Sequence, residues 1–345
     1  FIFCNQLRIR FYGIYDFNHF FADGLHIRIC TASYGCQHGT THGRAFFVLR
    51  YIHFQVHYIG NDLFPERALG TAAAEGWPAV FCRCKYCLEA QRLGGKNIRT
   101  RSQAIVNDDL LLDLPPDTYM HKLMNHLDLS RVKYLFVTHF HMDHFYPQEL
   151  TVRGSVYSLE MISPELEIYC AQETYDYFRR CADWEIDEKS DSAMHWHILK
   201  PFETVEAGPY RVAPLPANHM NPSHQPFVYH IVDTREDKSV FYMHDSGYYF
   251  PEVWDYLKAQ KKPADLFSFD TTLGYEDCGF KSTHMGAPEV IRLKEELEAL
   301  GIVDKHTHCV MNHFSHNGHL LYDELVELAA PHDIEISYDG MKLTL

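Results

Sequence analysis

The stretch Thr138-His139-Phe140-His141-Met142-Asp143-His144 constrains this chain more than any other. It follows an apolar run, Val132 to Val137, that reads as a buried strand. Three imidazoles and a carboxylate between His139 and His144 fit neither a core nor an ordinary surface. They are the groups that divalent transition metals bind. His139 and His141 are two apart, so on extended backbone they project to one side and can grip one ion. Asp143 and His144 follow after the chain turns, within reach of a second ion. The alternative is a histidine-rich loop that holds no metal. The ligand types that recur at strand ends downstream weigh against it.

At 345 residues the chain has room for one large domain or two small ones, and 46% hydrophobic residues support a substantial core. Lys and Arg number 31 against 46 Asp and Glu, a formal charge of −15. That balance argues against non-specific nucleic-acid binding, which needs a basic surface, so nucleic acid is not an expected partner. A small anionic substrate stays compatible, because bound metals reverse the local field. Of the ten cysteines, three sit between Cys82 and Cys87, and the rest form no disulfide framework. A reducing, cytoplasmic location is expected. No secretory signal or membrane-spanning apolar run is visible, so no membrane partner is expected either.

Residues 1–66 are rich in Phe, Tyr and His, with little periodicity. They are read as an N-terminal extension of unknown role, outside the catalytic unit, which is placed at residues 67–345. A genuine N-terminal module with its own partner is the alternative. Ala68 to Gly76 reads as a strand end and a Gly-rich turn that brings backbone close to the metal loop. Cys82, Cys84 and Cys87 offer three thiols to a tetrahedral zinc that needs one more ligand, or else are free or buried thiols.

Strands are expected over Gln103–Val106, Leu110–Asp113, Val132–Val137, Val205–Pro214 (with a turn at Gly208-Pro209), Phe227–Val232, Ser239–Met243, Asp265–Phe269 and His308–Met311. Ile334–Leu345 reads as a closing strand pair around Asp339-Gly340. Helices are expected from Pro115 to Leu127, and over Gln172–Trp184, Pro251–Gln260, Pro288–Leu300 and Tyr322–Ala329. Interleaved strands, hairpins and helices define an α/β or α+β chain.

The H-x-H-x-D-H string resembles the signature of the metallo-β-lactamase-fold hydrolases. Together with the C-x-C-x2-C cluster, the wider chain from Leu69 to Leu345 resembles their PhnP-like branch, the phosphoribosyl 1,2-cyclic phosphate phosphodiesterases. The resemblance implies an α+β fold, the αββα four-layer sandwich. It implies a binuclear site in which His139, His141 and His219 hold one divalent ion. Asp143, His144 and His313 hold the other, and Asp245 bridges them, with zinc or manganese as the metals. It implies a structural zinc on Cys82, Cys84, Cys87 and His316, which would tie the first loop to the last.

The chemistry so implied is hydrolysis of a small anionic phosphodiester by a hydroxide formed between the two ions. Asp143 and Asp245 orient that nucleophile, and His284 acts as general acid or transition-state stabiliser. His244, beside Asp245, is expected to face the other way and to pack or support, and His224 and His230 are assigned no role. Asp270 to Glu276 and an expected insertion, Thr151 to Pro201, depart from the family pattern, and both are expected to border the substrate pocket. Other hydrolases of this fold (nuclease, thioesterase or lactonase) and a non-catalytic metal-binding accessory protein are the alternatives. A homodimer is common among similar proteins.

Overall fold

Nearly every central strand of this protein is buried on both faces, which requires a layer of structure on each side. The structure, a computed structural model, describes residues 12–22, 25–35, 49–58, 65–221, 223–279 and 282–345. The chain divides into two compact units, residues 1–62 and 63–345. In the first, β1 (Tyr12–Ala22), β2 (Leu25–Gly35) and β3 (Leu49–Tyr58) form an antiparallel sheet in the order β1-β2-β3. The rest of the expected extension, residues 1–11, 23–24, 36–48 and 59–64, lies outside the described residues.

In the second unit the described strands make two seven-stranded sheets. One contains β4 (Pro65–Gly70), β5 (Gln103–Val106), β6 (Leu110–Leu112), β7 (Tyr134–Phe136), β8 (Leu166–Cys170) and β9 (Met194–Ile198). The other contains β10 (Val205–Ala207), β11 (Tyr210–Pro216), β12 (Phe227–Asp233), β13 (Lys238–Met243), β14 (Leu266–Asp270), β15 (His308–Asn312) and β16 (Glu335–Ile336). The final strand, β17 (Met341–Thr344), returns to the first sheet beside β4. The orders are β17-β4-β5-β6-β7-β8-β9 and β10-β11-β12-β13-β14-β15-β16. In each sheet the first four strands pair antiparallel and the last four parallel.

Helices fill the connections: α1 (Lys85–Leu93), α2 (Thr118–Asn125), α3 (Gln148–Thr151), α4 (Gln172–Ala182), α5 (Glu188–Ser192), α6 (Pro251–Lys258), α7 (Ala287–Ala299) and α8 (Tyr322–Ala329). Side-chain alternation sorts the core into three slabs. Val106, Leu112, Phe136, Tyr229, Val240 and Tyr242 fill the space between the sheets. Their strand neighbours Ile105, Leu111, Leu135 and Val137 turn outward onto Phe178 and Ala182 of α4. Phe241, Met243, Phe267 and Met311 turn outward onto α6, α7 and α8 through Val253, Leu293 and Leu325. The layers are therefore helix, sheet, sheet, helix, the αββα sandwich.

Three expectations are corrected. Residues 151–201 hold two strands that were not expected, β8 and β9, which complete the parallel edge of the first sheet. Their exposed alternation is weak and β9 is half polar, so periodicity did not mark them. The closing strands do not pair with each other: β16 joins β15, and β17 crosses to β4 in the other sheet. The turn between them stitches the sandwich shut. The helix expected from Pro115 begins at Thr118, after both prolines.

Candidate metal centre

The strands end on one rim of the sandwich, and the rim collects the titratable side chains. Asp113 follows β6, His139 to His144 follow β7, His219 follows β11, Asp245 follows β13, Asp270 ends β14 and His313 follows β15. Three of these adopt left-handed backbone: Asp113 at φ 64°, Asp245 at φ 56° and His313 at φ 61°. Such residues cost about 1–3 kcal/mol each and cluster where surroundings over-determine them. The chain turns sharply off each strand and aims the side chain along the rim. At Gly247, a Cβ would collide with the Ser282 carbonyl oxygen, so glycine is what lets the Asp245 loop lie against the segment leading to His284.

Two donor sets converge and share one carboxylate. His139, His141, His219 and Asp245 each bring a ligand atom within 4.8 Å of the others, as do Asp143, His144, Asp245 and His313. In the first set His141 Nδ1 lies 3.0 Å from His139 Nε2 and 3.1 Å from His219 Nε2. Asp245 Oδ2 lies 3.1 Å from His139 Nε2, 3.2 Å from His219 Nε2 and 3.3 Å from His144 Nε2. In the second, His144 Nε2 is 3.2 Å from His313 Nε2 and 3.4 Å from Asp143 Oδ2. Ring nitrogens crowded this closely around a common point cannot all satisfy one another by hydrogen bonds. Their spacing matches the edges, about 3.3 Å, of a tetrahedron centred about 2 Å from each donor. The residues therefore fit divalent cations, with Asp245 common to both donor sets.

The other ring nitrogens of His144 and His313 are held from behind, whereas the buried His219 Nδ1 has no hydrogen-bond partner among the described residues. His144 Nδ1–H donates to Asp113 Oδ2 (2.7 Å), while Asp113 Oδ1 accepts from the Thr138 backbone N–H (2.8 Å) and hydroxyl (2.9 Å). His313 Nδ1–H meets Thr272 Oγ1 (2.8 Å) and Asp270 Oδ2 (3.2 Å). These contacts fix the tautomer in which Nε2 carries the free lone pair. Burial pushes His139 down to about 3 and His219 down to about 4, which keeps the neutral, ligating form. Burial opposes ionisation of Asp143 and Asp245, but the surrounding histidines outweigh it and hold both well below the usual carboxylate range.

His284 belongs to neither of these two sets, but with Asp245, Asp270 and His313 it forms a third group whose ligand atoms lie within 4.8 Å of one another. Its Nδ1 is 3.1 Å from Asp245 Oδ1 and 3.4 Å from Asp270 Oδ2. Its side chain keeps 24% of its surface exposed, against 0–4% for Asp143, Asp245 and His313. Burial lowers its pKa, but the Asp270 hydrogen bond and the two carboxylate charges raise it above the usual value.

The thiol cluster lies on the first loop. Cys84 caps α1, its sulfur accepting from the Cys87 N–H (3.4 Å), and Cys82 Sγ accepts from the Cys84 N–H (3.3 Å). His316 Nδ1 is 3.5 Å from Cys84 Sγ and 3.8 Å from Cys82 Sγ. With Cys87 the four ligand atoms lie within 4.8 Å of one another. Burial raises the Cys84 thiol, but N–H and neighbouring hydrogen bonds override it and bring the thiol to about 6, favouring the thiolate. This donor set fits a tetrahedral zinc. The Gly-rich turn is threaded into the same assembly, since Phe314 N–H donates to Thr71 O and Ala73 N–H to Phe314 O, both 2.9 Å.

A model of the beta-lactamase superfamily domain matches residues 110–314, more than half of the chain. The chain belongs to the beta-lactamase superfamily. Solved structures share this metallo-β-lactamase fold at 18% identity. A diphosphatase from the PhnP family matches with TM-score 0.63, over 81% of this chain and 96% of that one. Zinc-bound PqqB from Methylobacterium extorquens matches with TM-score 0.61, over 81% and 100%. The short form of human tRNase Z matches with TM-score 0.55, over 81% and 98%. No curated protein matches the chain.

Within this superfamily member, residues that sequence reasoning passed over now carry weight. Asp113 and Asp270 are fully buried and anchor His144, His313 and His284. Asp270 also accepts backbone N–H groups from Asp245, Thr272 and Met285. Both sit at a strand end, the same signal that singled out Asp245. His244 faces away from the donor sets, its Nε2 2.7 Å from Ser268 Oγ and its Nδ1 3.3 Å from Ser102 Oγ. His230 is buried against Tyr256 and Ser239. No helix among the described residues is long and apolar enough to cross a membrane.

Proposed function

We propose that this protein is a binuclear metal-dependent phosphodiesterase acting on a small phosphodiester, such as phosphoribosyl 1,2-cyclic phosphate, with a structural zinc on Cys82, Cys84, Cys87 and His316. The observation that carries the reading is the convergence of seven donors in two sets that share Asp245, with His284 Nδ1 3.1 Å from that shared carboxylate. Two divalent ions held there supply Lewis-acid polarisation of a phosphoryl oxygen and an activated water as nucleophile. His139, His141 and His219 on one side and Asp143, His144 and His313 on the other would hold the ions in place, and Asp113, Thr272 and Asp270 keep the His144 and His313 rings from turning. Asp143 and Asp245 offer carboxylate oxygens to orient the attacking water.

His284 supplies the proton. Its Nδ1–H is committed to Asp270 and Asp245, so Nε2 is the atom left to meet substrate. From Nε2 a proton can pass to the departing ester oxygen, which is too basic to leave unaided. Asp270, buried beneath, stabilises the imidazolium and restores its orientation.

The test is turnover of 5-phosphoribosyl 1,2-cyclic phosphate by the metal-loaded protein, followed by phosphorus NMR, with His284→Ala alongside. Ring opening by the parent and a rate lower by about 10²–10⁴ in the variant, metals retained, support the assignment. No ring opening by the fully loaded parent rejects this substrate. Failure across a wider panel of esters would favour a metal-binding accessory role.

A further inference from the structure

The carboxylate of Glu75 stands behind the thiol cluster, and among the described residues no Lys or Arg pairs with it. Glu75 lies in the Gly-rich turn, immediately before Gly76, whose φ of 69° bends the chain. The backbone there is fastened on both sides. Ala72 bridges to Phe314 and to Arg101, and Arg101 Nε donates to the Ala74 carbonyl at 2.9 Å. The Glu75 side chain reaches from this turn to the last loop. Ser315 Oγ–H donates to Glu75 Oε1, and the same carboxylate oxygen lies 3.6 Å from His316 Nε2. The Ser315 hydroxyl is itself held, accepting the Asn317 N–H at 3.0 Å. Both partners are largely shielded from water, with 16% of the His316 side chain and 29% of the Glu75 side chain exposed.

His316 turns Nδ1 toward the Cys84 and Cys82 sulfurs, so Nδ1 is its ligating atom and the ring proton belongs on Nε2, the atom that faces Glu75. Three thiols that ionise on binding a metal repel a neighbouring carboxylate. A divalent cation, and an imidazole polarised by it, reverse that repulsion. Resting on the structural-zinc reading, we propose that Glu75 is a positioning residue for the thiol site. It takes the His316 Nε2–H, keeps Nδ1 aimed at the sulfurs and makes the ring a more basic ligand. Ser315 aims the carboxylate. Glu75 belongs to neither ligand-bearing loop, so it adds the Gly-rich turn as a third segment anchored on the zinc. The binuclear set is braced separately, since His313 leans on Thr272 and Asp270.

The full chain is loaded with cobalt(II), whose thiolate charge-transfer absorption reports the thiol site, and a chelator is titrated in. Glu75→Gln keeps the side-chain length and an oxygen for Ser315 but loses the charge. It is expected to weaken metal binding at the thiol site by about 10- to 100-fold, with the binuclear set unchanged. In zinc-loaded protein the His316 Nε2–H proton resonance should move upfield, which loosening of the turn alone would not produce. Ser315→Ala should weaken the site less, and adding it to Glu75→Gln should cost little more, because the hydroxyl acts through the carboxylate. Should Glu75→Gln fail to fold, Ser315→Ala with the same two readouts decides. Thiol-site affinity and a resonance unchanged from the parent would overturn the role of Glu75 and leave the zinc reading standing. Equal weakening of the thiol and binuclear sites would also overturn it, as a general loosening of the fold. A loaded parent with no thiolate band would remove the zinc reading and this role with it.

Discussion

Asp113→Asn changes one atom at the base of the site and is expected to release one metal. The Asp113 side chain is fully buried and accepts at both oxygens. Oδ1 takes the Thr138 N–H and hydroxyl, and Oδ2 takes His144 Nδ1–H at 2.7 Å and the Tyr242 hydroxyl at 3.4 Å. Asparagine offers one oxygen and one NH2 group to these donors. If the NH2 faces Thr138, the buried backbone N–H loses its acceptor, at about 1–3 kcal/mol of stability. If it faces His144, Nδ1 must become the acceptor, the proton moves to Nε2, and that nitrogen can no longer ligate. Loss of a partner behind a metal-binding histidine typically costs about 10- to 100-fold in affinity, or about 1.4–2.7 kcal/mol. Chelator competition with metal counting should show that the ion on Asp143, His144 and His313 is lost first, while the thiol site keeps its zinc. Unchanged affinity at every site, in a variant that melts like the parent, would refute the claim that Asp113 sets the His144 tautomer.

Burial pushes Glu66 from its usual 4.5 to about 8, and its Oε2 has no hydrogen-bond partner among the described residues. Between those pH values the folded protein holds a proton that the unfolded chain has lost, so this residue's contribution is full below about pH 4.5 and is lost as pH rises through about 8. The interval corresponds to a ceiling of about 5 kcal/mol. Glu66→Gln should therefore melt increasingly above the parent from pH 5 to pH 8, and a constant difference across that range would contradict it. Cys84→Ser is expected to lower zinc content by one equivalent and to loosen the His313–His316 loop, read as faster amide exchange there; an unchanged zinc count would reject the thiol site. Removing residues 1–61 is expected to leave folding and turnover intact, since the donor sets all lie beyond it. Loss of either would give that unit a role in the enzyme.

The sequence alone was enough to place the donors in order along the chain. His139, His141, Asp143 and His144 share one loop, and a strand before them is visible as an apolar run, because local spacing and periodicity are short-range properties. Cys82, Cys84 and Cys87 were legible for the same reason. His219, Asp245, His313 and His316 needed the family pattern to be chosen from 24 histidines and 46 acidic residues. What only the tertiary structure decided is what stands behind and beside those donors. Asp113 and Asp270 look like ordinary strand-end aspartates until burial and hydrogen bonds attach them to His144, His313 and His284. The segment 151–201 carries too little alternation to announce two strands, yet parallel pairing with β7 makes it part of the sheet and sets Tyr177 beside Phe140. β16 and β17 read as a hairpin because a Gly-containing turn separates them, but each finds its hydrogen-bond partners in a different sheet. Periodicity reports which face of a strand is apolar; the choice of partner depends on contacts between residues far apart in the chain, and those exist only once the sandwich has closed.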